Sequence, residues 1–330
     1  MMVVASCHRP LLRAARPRRL AAAALVLLAL WLPRLAAASP APWFTCGNGD
    51  GPQQLCWLVE GNGVLDGPFQ GPMAFACDRQ GNLWAGDTLN ARIVVFDPQG
   101  RARRQIDLLA AGKAAGLASD PVLADFVPAT GATLLVADAA NNCVLVLDLA
   151  GRLRRVLRPG AQADWLQINR LHADAAGRLY LEDAARARTL VLDGEGRQLA
   201  ALEGVLGIAV SPRGLVFQLG ESDDPLARPV LAITTLGKAP RPFARLTADA
   251  PITWAAPLGV DARGLLHVIA DTADSRHLVA FDLQGREAAR KRLPRPDPGY
   301  DPTRPEWLAP DGSVHHVVLD ATHLRVLRAE

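Results

Sequence analysis

Cysteine is scarce in this chain of 330 residues, five in all. No C-x-x-C-H run offers a haem attachment, and no pair of C-x-x-C motifs offers a structural zinc site. A G-x-S-x-G elbow is missing too, and Ser119, Ser211, Ser222, Ser275 and Ser313 fall in loop patterns without a matched histidine. Serine-nucleophile chemistry therefore has no scaffold here. Past the first forty residues no apolar run approaches the ~20 residues that a spanning helix needs, so no transmembrane helix is expected there. Linker-like and low-complexity stretches are also absent, which argues for a single domain after the leader.

What the chain does have begins with a targeting pattern. Arg9, Arg13, Arg16, Arg18 and Arg19 form a basic n-region, Leu20 to Leu32 an apolar h-region, and Ala36, Ala37 and Ala38 the small residues of a cleavage site. Pro33 and Arg34 interrupt any extension of the apolar run into a membrane anchor. Residues 1–38 are thus expected to be a signal peptide removed after Ala38, with an exported chain, periplasmic or extracellular, left behind. That segment holds six arginines and no lysine or acid, so its loss turns the formal net charge from +3 to −3. Nucleic acid is excluded as a partner, since neutralising phosphates needs concentrated positive charge.

Four cysteines remain: Cys46, Cys56, Cys77 and Cys143. Export makes a disulfide chemically possible, and Cys46 with Cys56, across a Gly-rich loop, is the pair the spacing favours. Cys77 and Cys143 lie inside strand patterns and read as small buried hydrophobes.

A repeat organises the rest. An apolar pair runs into a turn ending Gly-Arg or Gly-Lys at Gly100, Gly151, Gly196, Gly237 and Gly285, with steps of 51, 45, 41 and 48 residues. That period matches the ~40–50 residues of a propeller blade. Upstream of these turns recurs a glycine, an apolar run and an acid: "GNLWAGD", "GATLLVAD", "GRLYLED", "GLLHVIAD" and "GSVHHVVLD". Runs of four to seven apolar residues bounded by Gly, Asp, Asn and Pro are strand signals. The last copy begins near Glu306 and ends after its third strand, while "LCWLV", Leu55 to Val59, stands spare at the other end. An all-β, six-bladed propeller of four-stranded blades is expected over residues 54–330, after an extension at 39–53. Its last blade would be completed by the N-terminal strand, which leaves no open edge.

Residues 61–100 carry D-x-x-G-N at Asp78 to Asn82, then Ala85-Gly86-Asp87-Thr88-x-Asn90-x-Arg92-Ile93, then Val95-Phe96-Asp97-x-x-Gly100. This resembles an NHL repeat, and the resemblance implies an exported six-bladed propeller of that family. Asp87, Asn90 and Arg92 recur as Asp138 with Asn141 and as Asp183 with Arg188. Groups repeated in blade after blade serve turns and blade contacts, because Asp and Asn bond their own backbone turns.

Some propellers resembling NHL repeats are lyases that hold zinc through histidines on several inner strands; here only His172 stands at such a position. Gluconolactonase-like propellers hold calcium through Glu, Asn and Asp, and no Asn or Glu is expected on the inner strands of this chain. The best remaining hints are aromatic. Phe69, Trp165, Trp254 and Trp307 precede or begin inner strands, with Arg170 and Arg304 nearby, and such residues mark binding surfaces. The favoured expectation is a non-enzymatic platform without cofactor, binding a protein or small ligand on one face. The alternative is a lyase or lactonase-like hydrolase using zinc or calcium near His172. Amino-terminal sequencing of the chain recovered from an expressing bacterium's periplasm or medium should begin at Ser39; a chain that keeps Met1 and sediments with membranes would make residues 20–32 an anchor.

Overall fold

A computed structural model describes residues 42–60, 63–64, 70–129, 132–159, 167–233, 236, 238–294 and 304–329. Residues 42–330 form one compact unit. Within it six antiparallel four-stranded sheets follow one another as blades. From the inside outward, blade one comprises Ala74–Cys77, Leu83–Asp87, Arg92–Phe96 and Ala102–Asp107, and blade two begins with Leu123–Ala129 and Thr133–Asp138. Blade three runs Ile168–Ala173, Leu179–Asp183, Arg188–Leu192 and Gln198–Glu203. Blade four starts at Ala209–Val210 and blade five at Trp254–Val260.

Blade six contains Glu306–Leu308, Val314–Leu319 and His323–Ala329, and its outermost strand comes from the other end of the chain. That strand is Phe44–Gly47, paired antiparallel with His323–Ala329 so that Phe44 faces Val326. Closure by an N-terminal strand is as expected, but Leu55–Val59 is not the segment that does it. Alternation explains the choice: Phe44 and Cys46 point inward and Thr45 outward, a one-faced pattern that an outer strand needs. Leu55 and Trp57 are instead driven into the junction of blades six and one as plugs, 0% and 2% exposed. Asn48 clamps the Trp57 backbone on both sides, and the indole donates to the Asp320 carbonyl at 2.9 Å. The propeller therefore starts before residue 54.

The expected Cys46–Cys56 bridge is absent; both are free thiols. Cys46 faces the apolar junction with Leu55 and Trp57, where burial pushes its thiol up to about 12. The backbone of Cys56 is held elsewhere, by Asp87.

Each blade is sandwiched between two others, so its middle strands are buried on both faces and read as continuous apolar runs. Leu83–Asp87 and Cys143–Asp148 are buried at every position. Apolar clusters fill all six blade-to-blade junctions. Outer strands meet water, and Glu287–Leu293 is exposed at all but its last residue. Its arginines and lysine keep that edge from pairing with another chain.

The turns that set the period have a local cause. Asp97 Oδ1 accepts from the amides of Gln99 and Arg101 at 3.0 and 2.9 Å, and the chain then reverses through Gly100 at φ +76°. Only glycine adopts that angle without strain, hence Asp-x-x-Gly at Gly100, Gly151, Gly196 and Gly285. One short helix, Leu108–Ala114, leaves blade one, capped by the Asp107 carboxylate. No helix among the described residues is long and apolar enough to cross a membrane. Phe44 is 5% exposed and lies 4.7 Å from the Phe96 ring, so it seals the closing junction. Phe44→Ala should cost about 3–5 kcal/mol in chemical denaturation; a loss under about 1 kcal/mol would mean the closing strand adds little.

Candidate functional site

Most acids of the repeat are already bonded. Asp87 Oδ2 accepts from Arg92 Nε at 2.7 Å and Asn90 Nδ2 at 2.9 Å. Asp138 accepts from Asn141 Nδ2 at 2.7 Å and from the Val122 amide at 3.0 Å. Asp183 accepts from Arg188 Nε at 3.2 Å and from the Gln167 amide at 3.1 Å. These carboxylates pin the second strand of a blade to a backbone amide outside its turn. A second set sits at the other end of the inner strands. Asp78, Asp174 and Asp261 accept from Trp84, Tyr180 and His267 at 3.1, 3.1 and 3.0 Å. In blade six Ala309 replaces that acid, and His315 turns its Nδ1 to the Cys77 sulfur at 3.5 Å.

The inner strands surround a channel cavity of about 200 Å³. Ala76, Val127, His172, Val210, Gly259 and Trp307 contribute one residue from each blade, and Arg304 adds a charge to the wall. Asp125, on the inner strand of blade two, is wholly buried. It accepts the Arg304 fork at 2.8 and 2.7 Å and the Leu171 amide at 2.8 Å. Glu182 accepts from His172 Nε2 at 3.0 Å and from the amides of Gly207 and Ile208 at 2.6 and 3.2 Å. Burial is the largest influence on Glu182 and opposes its charge, but the His172 bond and these amides outweigh it and hold the carboxyl near about 2. Burial pushes His172 below its ordinary value, so a neutral imidazole donates to an ionised carboxylate.

Beside the channel lies a second, larger opening of about 350 Å³. Asn169, Arg170 and Glu182 line it from blade three, Leu206 and Gly207 from the crossover, Leu219 from blade four, and Trp254 to Pro257 from blade five. Trp254 is 44% exposed, and the Arg276 guanidinium stands 5.9 Å from its ring. Arg276 is itself held by Asp271 at 2.8 Å and by Glu306.

The expected binding residues thus separate. Arg170 and Trp254 meet in one cleft. Arg304 lines the channel, but Asp125 consumes its guanidinium. Trp307 lines the channel as well, but it is 4% exposed and stacks on Phe75 of the neighbouring blade at 5.1 Å. Phe69 and Trp165 lie outside the described residues. A further correction concerns Asn and Glu, since Asn169 and Glu306 do lie on inner strands. Asp125 and Glu182 escaped the sequence reading. Asp125 interrupts the apolar run "LADFVPA", a usable signal, whereas Glu182 hides beside the repeated Asp183.

No group of three or more His, Cys, Asp or Glu side chains that could hold a metal occurs among the described residues. The donor set agrees. Asp125 and Glu182, the acids nearest His172, have their oxygens filled by N–H donors, and burial pushes the Cys77 thiol up to about 11. A zinc or calcium ion requires such ligands to be free and deprotonated, so these residues do not fit one.

No protein-family model matches the chain, and no curated protein matches it in sequence. Solved structures do. A catalytically inactive virginiamycin B lyase from Staphylococcus aureus, with quinupristin, is 10% identical with a TM-score of 0.50, covering 76% of this chain and 80% of that one. A gluconolactonase from Xanthomonas campestris is 14% identical, TM-score 0.49, covering 78% and 85%. Regucalcin, a calcium-binding protein from Agrobacterium tumefaciens, is 14% identical, TM-score 0.46, covering 77% and 90%. At such identities the likeness shows the propeller fold.

Acid should weaken the fold through these buried groups. Burial, with Arg328 nearby, takes the imidazole of His315 from 6.5 to about 4, and His172 is lowered as well. The unfolded chain therefore binds these protons first, so stability is full above pH 6.5 and is lost as pH falls toward 4. Glu182, lowered from 4.5 to about 2, adds a further loss below pH 4.5. His315 alone should contribute about 3 kcal/mol to the first loss. Melting curves from pH 7 to 4 should show that fall in wild type and a smaller one in His315→Phe; a flat wild-type profile would contradict neutral burial.

Proposed function

We propose that this protein is an exported, non-catalytic propeller that binds a small ligand in the cleft between blades three, four and five. The observation that supports the reading is Trp254, an exposed indole on the wall of a 350 Å³ opening. Small-molecule sites span ~300–1,000 Å³ and pair apolar walls with a few polar groups. Leu206, Leu219 and Pro257 supply the walls, and Arg170 and Asn169 the polar groups. A large flat partner suits this cleft less well, because the opening is concave and only one large ring lines it.

The second reading is an enzyme in the channel, and one observation favours it. Glu182 fixes the proton of His172 on Nε2, which leaves Nδ1 its lone pair, the arrangement of an oriented base. Similar folds include proteins named lyase and gluconolactonase, which keeps the reading in view. It stands second because no described residue of the channel offers a free nucleophile or acid to work with that base: Asp125 and Glu182 are already bonded, and burial keeps the Cys77 thiol protonated.

Saturation-transfer NMR with phenylacetamide, a neutral planar probe, separates the two. Trp254→Ala should weaken binding at least about fivefold, roughly 1 kcal/mol of lost stacking, and His172→Gln should leave it unchanged. Loss in His172→Gln with retention in Trp254→Ala would move the site into the channel.

A further inference from the structure

Arg170 has no hydrogen-bond or ion-pair partner among the described residues, unlike Arg92, Arg178, Arg188, Arg276 and Arg304. Its cross-strand neighbour is Glu182, the natural partner for a guanidinium. That carboxylate is instead taken by His172 and two amides. The fork of Arg170 is left on the wall of the cleft that Trp254 also lines. Desolvation disfavours its charge and Arg304 nearby adds repulsion, while Glu182, Asp125 and Glu306 attract it from a distance without bonding to it. A desolvated guanidinium whose N–H donors meet no acceptor costs stability until one is supplied.

We infer that the Arg170–Trp254 cleft binds a small monocarboxylate with a flat apolar body. This deepens the reading of the cleft as the binding site and rests on it. The guanidinium matches a carboxylate through two parallel N–H bonds, the strongest pairing that planar fork makes. Charge selects a monoanion over a dianion. Arg304 is paired with Asp125 and Arg276 with Glu306, and Arg170 faces Glu182, so the surrounding charges balance and a second negative charge would meet no unpaired cation. Trp254, braced by Arg276, takes the ring of the ligand, and Leu206, Leu219 and Pro257 surround its body. The cleft, at about 350 Å³, has room for a compound of one or two rings.

Isothermal titration of the full exported chain at pH 7 with phenylacetate and its uncharged isostere phenylacetamide tests this. Phenylacetate should bind at least about tenfold tighter than the amide, and phenyl phosphate should bind more weakly than phenylacetate. Arg170→Met should erase the preference while leaving the unliganded melting temperature equal or higher, since a desolvated guanidinium without a hydrogen-bond acceptor gives way to an apolar chain. A structural role for Arg170 predicts the reverse, a lower melting temperature. Equal affinity for both compounds, with Trp254→Ala weakening both, would overturn the carboxylate and keep the cleft. Absence of binding by either compound would overturn both.

Discussion

A buried carboxylate organises the centre of this propeller. Asp125 accepts from its own neighbour Phe126, from the Leu171 amide of the next blade and from the fork of Arg304, which also reaches the Leu171 carbonyl at 2.6 Å. Three parts of the ring that are distant in sequence therefore meet on one group. A buried ion pair holds only when every lone pair and proton is satisfied, because desolving two charges costs several kcal/mol each. Here both carboxylate oxygens and the Nε and Nη2 of the guanidinium are bonded, and the segment that leads into blade six is held against blades two and three.

The same economy runs through the repeats. Asp-x-x-Gly turns, the acids on Asn and Arg, and the acids on Trp, Tyr and His all consume their charges in place. Against that background Arg170, which meets no acceptor among the described residues, stands apart. Charged groups whose surroundings disfavour their charge, on the wall of a cleft, mark binding or chemistry more often than elsewhere. The cleft thus gains meaning from the completeness of the bonding around it. The saturation of Asp125 and Glu182 is also what leaves the channel poor in catalytic groups.

The sequence made most of the fold legible and rather less of the site. Blade number followed from the spacing of Gly100, Gly151, Gly196, Gly237 and Gly285, and the four of them that are described, all but Gly237, meet a local demand for a left-handed turn. Closure was legible as a missing fourth strand. Its identity was misread because Leu55 to Val59 is the more apolar segment, while Phe44–Gly47 has the alternation that an outer strand requires. Arg170 and Trp254 were legible as candidates by type and position, and folding brings them to one cleft. Trp307 has the same type and nearly the same position, and only packing against Phe75 distinguishes it.

By itself the sequence determined what depends on neighbours a few residues apart: the turns, the strand runs, the period and the acids that tie each turn. Those interactions are local, and a repeated motif states them several times. Tertiary structure alone decided which charges were spent. Whether Arg304 or Arg170 meets a carboxylate depends on Asp125 and Glu182, which lie on other strands and, for Arg304, 179 residues away. The electrostatic fate of a guanidinium is set by what folding brings within about 3 Å of it, and no local pattern records that.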